Sequence, residues 1–124
     1  MKKTVVFDFD GVIHSYASGW QGVTEINDPP VEGIAEAIAE IREAGFEVVI
    51  VSTRCDDPAG VAAIRLYLEK NGIEVDAITA HKPPAICYID DRAICFDGNA
   101  GALLGKILDF KPWNKKGDKT NGST

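Results

Sequence analysis

Apolar and polar positions fall in blocks along this chain. Residues 4–7 (TVVF) are a short β-branched and aromatic run, the composition of a strand buried on both faces. The run ends in Asp8-Phe9-Asp10-Gly11. Residues 12–30 then show no period, hold Gly19 and Gly22 and close on Pro29-Pro30, which predicts a long loop or small hairpin forming a flap after the first strand. Loops that long in a compact domain are usually functional. A helical stripe follows at Val31, Ile34, Ala35, Ile38 and Ile41, with Glu32, Glu36, Glu40 and Glu43 on the other face. Asp28 before the prolines is the start signal and Gly45 the stop, so a helix is expected over 31–44.

Residues 46–51 read as the next strand, running into Ser52-Thr53-Arg54. Asp56-Asp57-Pro58 opens a second helix with apolar positions Val61, Ile64 and Leu68 and an Asn71-Gly72 stop. Residues 75–78 are a weak strand, and 84–89 (PAICYI) a strong one ending in Asp90-Asp91. One more short strand is expected at 93–96 and a short helix at 101–110, weakened by its two glycines. Strands alternating with helices imply βαβ units and a doubly wound, Rossmann-like, mainly parallel α/β sheet. Residues 1–110 read as a single domain. From Lys111 onward the polar, Lys-rich tail reads as disordered.

Composition narrows the classes. At 124 residues one domain is expected, and 45% apolar residues can fill a core. The net charge of −6 argues against non-specific duplex binding through a basic face. Residues 1–105 carry 8 basic and 17 acidic side chains, so the tail is the only local basic stretch. Cys55, Cys87 and Cys95 show no CxxC spacing, which gives neither a disulfide framework nor a zinc site. The apolar run after Lys2-Lys3 stops at Asp8, too short for a signal peptide, and no stretch approaches the roughly 20 apolar residues of a membrane span. A cytoplasmic, reducing setting with no membrane contact is expected.

In open α/β sheets ligands bind at the carboxyl ends of strands. Asp8 and Asp10 stand there on the first strand, Ser52 and Thr53 on the second, and Asp90 and Asp91 on the fourth, with Lys82 just before it. Asp8 and Asp10, two apart on extended chain, project to one side. Four clustered carboxylates repel one another and ask for a cation, and an oxygen-only donor set suits Mg²⁺. Lys82 and Ser52 then remain to hold phosphate oxygens. One Asp is suited to attack phosphorus and another to serve as acid and base.

These residues resemble the haloacid dehalogenase-like (HAD) superfamily. Its DxDG after an apolar strand stands here as VVFDFDGVI at 5–13, its strand ending in Ser or Thr as VVIVS at 48–52, its Lys as Lys82-Pro83, and its acidic pair as YIDD at 88–91. The resemblance, nearest to short capless phosphatases, implies that Asp8 is the nucleophile that forms an aspartyl-phosphate. Asp10 would protonate the leaving group and then activate water. Mg²⁺ would be held by Asp8, the Asp10 backbone carbonyl, Asp91 and Asp90, the last through water. Ser52, or Thr53 if the strand ends one residue later, would bind the phosphoryl group, and Lys82 would offset charge on the intermediate. Mg²⁺-dependent phosphomonoester hydrolysis is the activity so implied.

Members acting on small metabolites usually carry a cap domain. Here the 28 positions from Arg54 to Lys82 hold one helix and a short strand, and what is left after the first motif is the flap at about 12–30. An open site favours a nucleotide, a nucleic-acid end or another exposed phosphate, and a homo-oligomer is one way to supply the missing lid. His14, Tyr16 and Trp20 in the flap, with Arg54, are the candidate substrate contacts, while pinning of the flap explains the three flap residues equally well. A signalling or binding module that keeps its phosphoaspartate is the alternative function. If Asp10 acts as an acid near neutral pH, its carboxyl should titrate above the ordinary value of about 3.9.

Overall fold

The run that is apolar on both faces takes the interior of the sheet. A computed structural model describes residues 2–115. Its elements are β1 (Thr4–Asp8), α1 (Ile34–Glu43), β2 (Glu47–Val51), α2 (Pro58–Lys70), β3 (Ala77–Thr79), β4 (Cys87–Ile89) and α3 (Leu103–Asp109), with short 3₁₀ turns at Thr53–Asp56, Ala100–Ala102 and Trp113–Lys115. Strand order is β3-β2-β1-β4 and every pairing is parallel. The chain therefore has the expected doubly wound, Rossmann-like α/β fold. Its strand order reverses at β1: β2 and β3 extend one way and β4 is laid on the opposite side. The crevice at the carboxyl ends of β1 and β4 is thus the topological switch point, where such sheets bind ligands.

The chain divides into two compact units, Met1–Asp90 and Asp91–Thr124. The first unit holds the core: Val5, Phe7, Phe9, Ile13, Ile38, Val48, Ile50, Ile64, Tyr67, Leu68 and Ile73 are all buried and packed together. Burying each large aliphatic or aromatic side chain contributes about 1.5–3 kcal/mol, which is what holds the sheet between its helices. In the second unit the α3 residues Leu104, Ile107 and Leu108 are exposed, and Lys106 pairs with Asp97 at 3.1 Å.

Four expectations need correction. The first helix begins at Ile34 and not at residue 31, because the Val31 N–H donates to the Ile13 carbonyl at 2.9 Å and Pro30 bridges His14. Asp28 does not cap that helix; Gly33, in the left-handed region at φ 83°, turns the chain into it. The strand expected at 84–89 is only Cys87–Ile89, since Pro83 and Pro84 have no N–H for a ladder, and residues 93–96 form no strand. Apolar composition alone does not supply a pairing partner. Of the expected tail, residues 116–124 lie outside the described residues. No described helix is long and apolar enough to cross a membrane.

Candidate active site

Sheet register brings the candidate residues together. Val51 pairs with Asp8, so Ser52 comes one step beyond it on the β2 side. Ile89 pairs with Phe7, which sets Asp90 level with Asp8 on the β4 side. Asp8, Asp90 and Asp91 each offer a carboxylate oxygen, and these atoms lie within 4.8 Å of one another. Anionic groups that close favour a counter-cation, and three hard oxygen donors match the coordination preference of Mg²⁺. Asp8 Oδ1 also accepts the Phe9 N–H at 2.9 Å, which fixes its orientation at the strand end.

Asp10 is held quite differently. After β1 the chain turns tightly, with the Phe9 carbonyl accepting the amides of Ile13 (2.9 Å) and His14 (3.0 Å) and Gly11 taking φ 86°. That turn aims the Asp10 side chain at Arg54, whose Nε donates to Oδ2 at 2.9 Å and Nη2 to Oδ1 at 3.1 Å. His14 Nδ1 adds a third donor to Oδ1 at 2.8 Å. The Asp28 amide donates to His14 Nε2 at 3.2 Å, so the ring proton lies on Nδ1, directed at Asp10. Burial pushes the Asp10 carboxyl up, but the hydrogen bonds from His14 and Arg54 and the guanidinium charge outweigh it and hold the carboxyl below its ordinary range. The expectation of a raised value is therefore wrong. It counted repelling carboxylates and missed the cation that the fold brings to this one.

Arg54 and His14 are buried, 0% and 1% exposed, with their polar atoms turned to protein partners. Arg54 Nη1 donates to the flap carbonyls of Gly22 (2.9 Å) and Val23 (2.8 Å). Its guanidinium carbon lies 4.6 Å from the centroid of the half-exposed Trp20 ring. Tyr16, at φ 62°, sets its ring edge-on to His14. Ser52 is buried and its Oγ accepts the Arg54 N–H at 3.1 Å, while Thr53 is exposed at the start of the 3₁₀ turn. The Lys82 ammonium rests 5.0 Å from the Tyr88 ring centroid, and Tyr88 donates to the Pro83 carbonyl.

Tyr67, Asp28 and Gly60 were not anticipated. Tyr67 donates to the Asp28 carbonyl at 2.9 Å, and burial, then the charges of Asp28 and Asp10, push its hydroxyl up to about 12. The Asp28 carboxylate in turn accepts the Ser18 N–H at 2.9 Å, closing the flap on itself. Tyr67 lies on the α2 stripe three residues after Ile64, a signal its polar tip obscures. A Cβ on Gly60 would sit 1.9 Å from the Arg54 carbonyl oxygen, so only glycine lets α2 approach this turn.

Fold and site together define a doubly wound α/β protein with carboxylates gathered at its switch point. No protein-family model and no curated protein matches the chain. Among solved structures, it is similar to a structural-genomics target from Vibrio cholerae (22% identity, TM-score 0.52, 90% of this chain and 100% of that one). It is also similar to a chain of the Pnkp1/Rnl/Hen1 RNA repair complex (16% identity, TM-score 0.53, 91% of this chain and 33% of that one). Both are likenesses of fold. A third match is D,D-heptose 1,7-bisphosphate phosphatase from Burkholderia thailandensis (30% identity, TM-score 0.43, 63% of this chain), of which this chain spans about half, 52%.

Proposed function

We propose that this chain is a Mg²⁺-dependent phosphomonoesterase of the HAD type, working through an aspartyl-phosphate on Asp8. The observation that carries the reading is the meeting of Asp8, Asp90 and Asp91 within 4.8 Å at the switch point of a parallel sheet. Asp8, Asp90 and Asp91 would hold the cation, whose bound charge stabilises the phosphoryl oxygens. An Asp8 oxygen attacks phosphorus, the bond to the leaving group breaks, and the leaving oxygen takes its proton from solvent water, because Asp10 starts the cycle as a carboxylate and has none to give. Asp10 then takes a proton from water, the water oxygen attacks phosphorus, the bond to Asp8 breaks to release phosphate, and Asp10 returns its proton to solvent.

Asp10 enters this cycle as a carboxylate, given its lowered titration range, so the water step suits its resting form. Ser52 Oγ donates to the phosphoryl group, and Lys82 turns from Tyr88 to offset charge on the intermediate. With a 12–30 flap in place of a cap domain, the substrate class is an accessible phosphate on a nucleotide or nucleic-acid end, with the half-exposed Trp20 ring beside it for stacking. The test is hydrolysis of p-nitrophenyl phosphate by wild type and Asp8→Asn, each with Mg²⁺ and with EDTA. Turnover that survives either Asp8→Asn or EDTA sinks the reading.

A further inference from the structure

Arg54 has a fully buried charge, and burying a charge is expensive unless its partners repay the lost hydration. Anchoring two flap carbonyls needs only a neutral donor. The charge makes sense through its other contacts: Nε and Nη2 grip both oxygens of Asp10 at 2.9 and 3.1 Å, so the carboxylate cannot turn about its own axis. Arg54 itself is fixed at its backbone, its N–H on Ser52 Oγ at 3.1 Å, its carbonyl accepting the Asp57 N–H at 3.2 Å, and Gly60 packed against it. A lysine, as a point charge, holds one oxygen and leaves that rotation open.

We propose that Arg54 is the positioning residue for Asp10 in the water step: it presents the carboxylate oxygen that takes the proton, and it does so from a turn the fold has immobilised. His14 steadies Oδ1 from the flap side at 2.8 Å. The inference rests on the phosphomonoesterase reading. It makes Arg54 a determinant of whether the phosphoaspartate turns over, through Asp10 and without touching substrate.

The test is rapid-quench kinetics with p-nitrophenyl phosphate, whose leaving group departs without a proton, so that formation and hydrolysis of the intermediate separate. In Arg54→Lys the first turnover stays within about threefold of wild type, while the steady-state rate falls on the order of 10²-fold. Phosphorylated enzyme accumulates to about one per chain, read by intact mass. Arg54→Ala behaves likewise, and guanidinium added to it restores the slow phase. Arg42→Lys, the same exchange in a surface pair, shows neither effect. Parallel loss of both phases, or a raised KM with kcat intact, overturns the positioning role and leaves the phosphatase reading standing. A wild type with no first turnover overturns both. An Arg54→Ala that does not fold leaves Arg54→Lys to decide.

Discussion

Asp8 and Asp10 are the same residue type two positions apart, and the fold treats them in opposite ways. Around Asp10 the chain supplies its own donors: a buried guanidinium from the end of β2 and an imidazole from the flap. Around Asp8 it gathers acid, with Asp90 and Asp91 brought alongside by the β1–β4 register. A carboxylate given three donors is held in one orientation, which suits the base of the proposed reaction. On the proposed reading, a carboxylate set among carboxylates serves as ligand and nucleophile, its charge balanced by a bound cation. One strand end would thus carry both halves of the proposed two-step reaction, separated by which neighbours each Asp was given.

The sharpest way to break that contrast is to remove each carboxylate in turn. Asp8→Asn should lower kcat by on the order of 10⁴-fold or more, since the variant lacks the proposed nucleophile. Hydrogen exchange across 14–28 should stay at wild-type rates, because the flap is tied to the sheet through Asp10, Arg54 and His14, which this substitution leaves in place. Asp10→Asn should cost a smaller 10²- to 10⁴-fold in kcat, the usual range for an acid–base group. It should also speed exchange in the flap, whose tie to the sheet runs through Arg54 and His14. Equal flap exchange in the two variants would remove the difference drawn between the two residues.

The acid side was legible in the sequence and the donor side was not, and the reason is range. Asp8, Ser52, Asp90 and Asp91 are placed by strand ends, and an apolar run followed by a polar residue marks a strand end in one dimension. The Asp10–Arg54 contact joins positions 44 apart, and nothing local distinguishes Arg54 from a surface arginine. His14 reads as a polar flap residue until Phe9, Tyr16 and Tyr67 are seen packed around its ring. Boundaries failed where tertiary pairing overrode local preference, as at Val31, whose amide bonds to Ile13 before the helix starts. Asp28 looked like a cap and proved to be a flap closure.

Gly60→Ala probes the frame without changing any polar group. The added methyl must displace the Arg54 turn, because its nearest neighbour is backbone and cannot swing away. Overpacking of this kind costs about 1–3 kcal/mol, and the thermal midpoint should fall by about 5 °C or more. If the midpoint holds, α2 is not pressed on Arg54 and the frame is looser than its geometry implies. Turnover at 25 °C should fall more than stability alone requires, since the shifted turn carries the guanidinium off Asp10.

The smallest expected effect comes from the exposed counterpart of the same pair. Arg42 Nε and Nη2 bond Asp76 at 3.2 and 3.0 Å, a similar fork at the surface, with Asp76 also accepting the Val48 N–H at 2.8 Å. The Arg42 hydrogen bonds, then that of Val48, hold the Asp76 carboxyl below its ordinary range against an opposing push from burial. A lowered carboxyl stabilises the fold above its unfolded value of about 3.9 and loses that contribution as pH falls through the lower, folded value. Asp76→Asn should therefore lower the midpoint by about 2–4 °C at pH 7, and the deficit should shrink below about pH 4. In 1 M salt the deficit at pH 7 should narrow, because the Debye length drops to about 3 Å and the pair faces solvent. Activity should be untouched throughout. A deficit that ignores pH and salt would mean the Val48 hydrogen bond, which an Asn oxygen can also accept, and the packing around it outweigh the charge, and that a fork of this geometry has electrostatic consequence only when it is buried as Arg54 is.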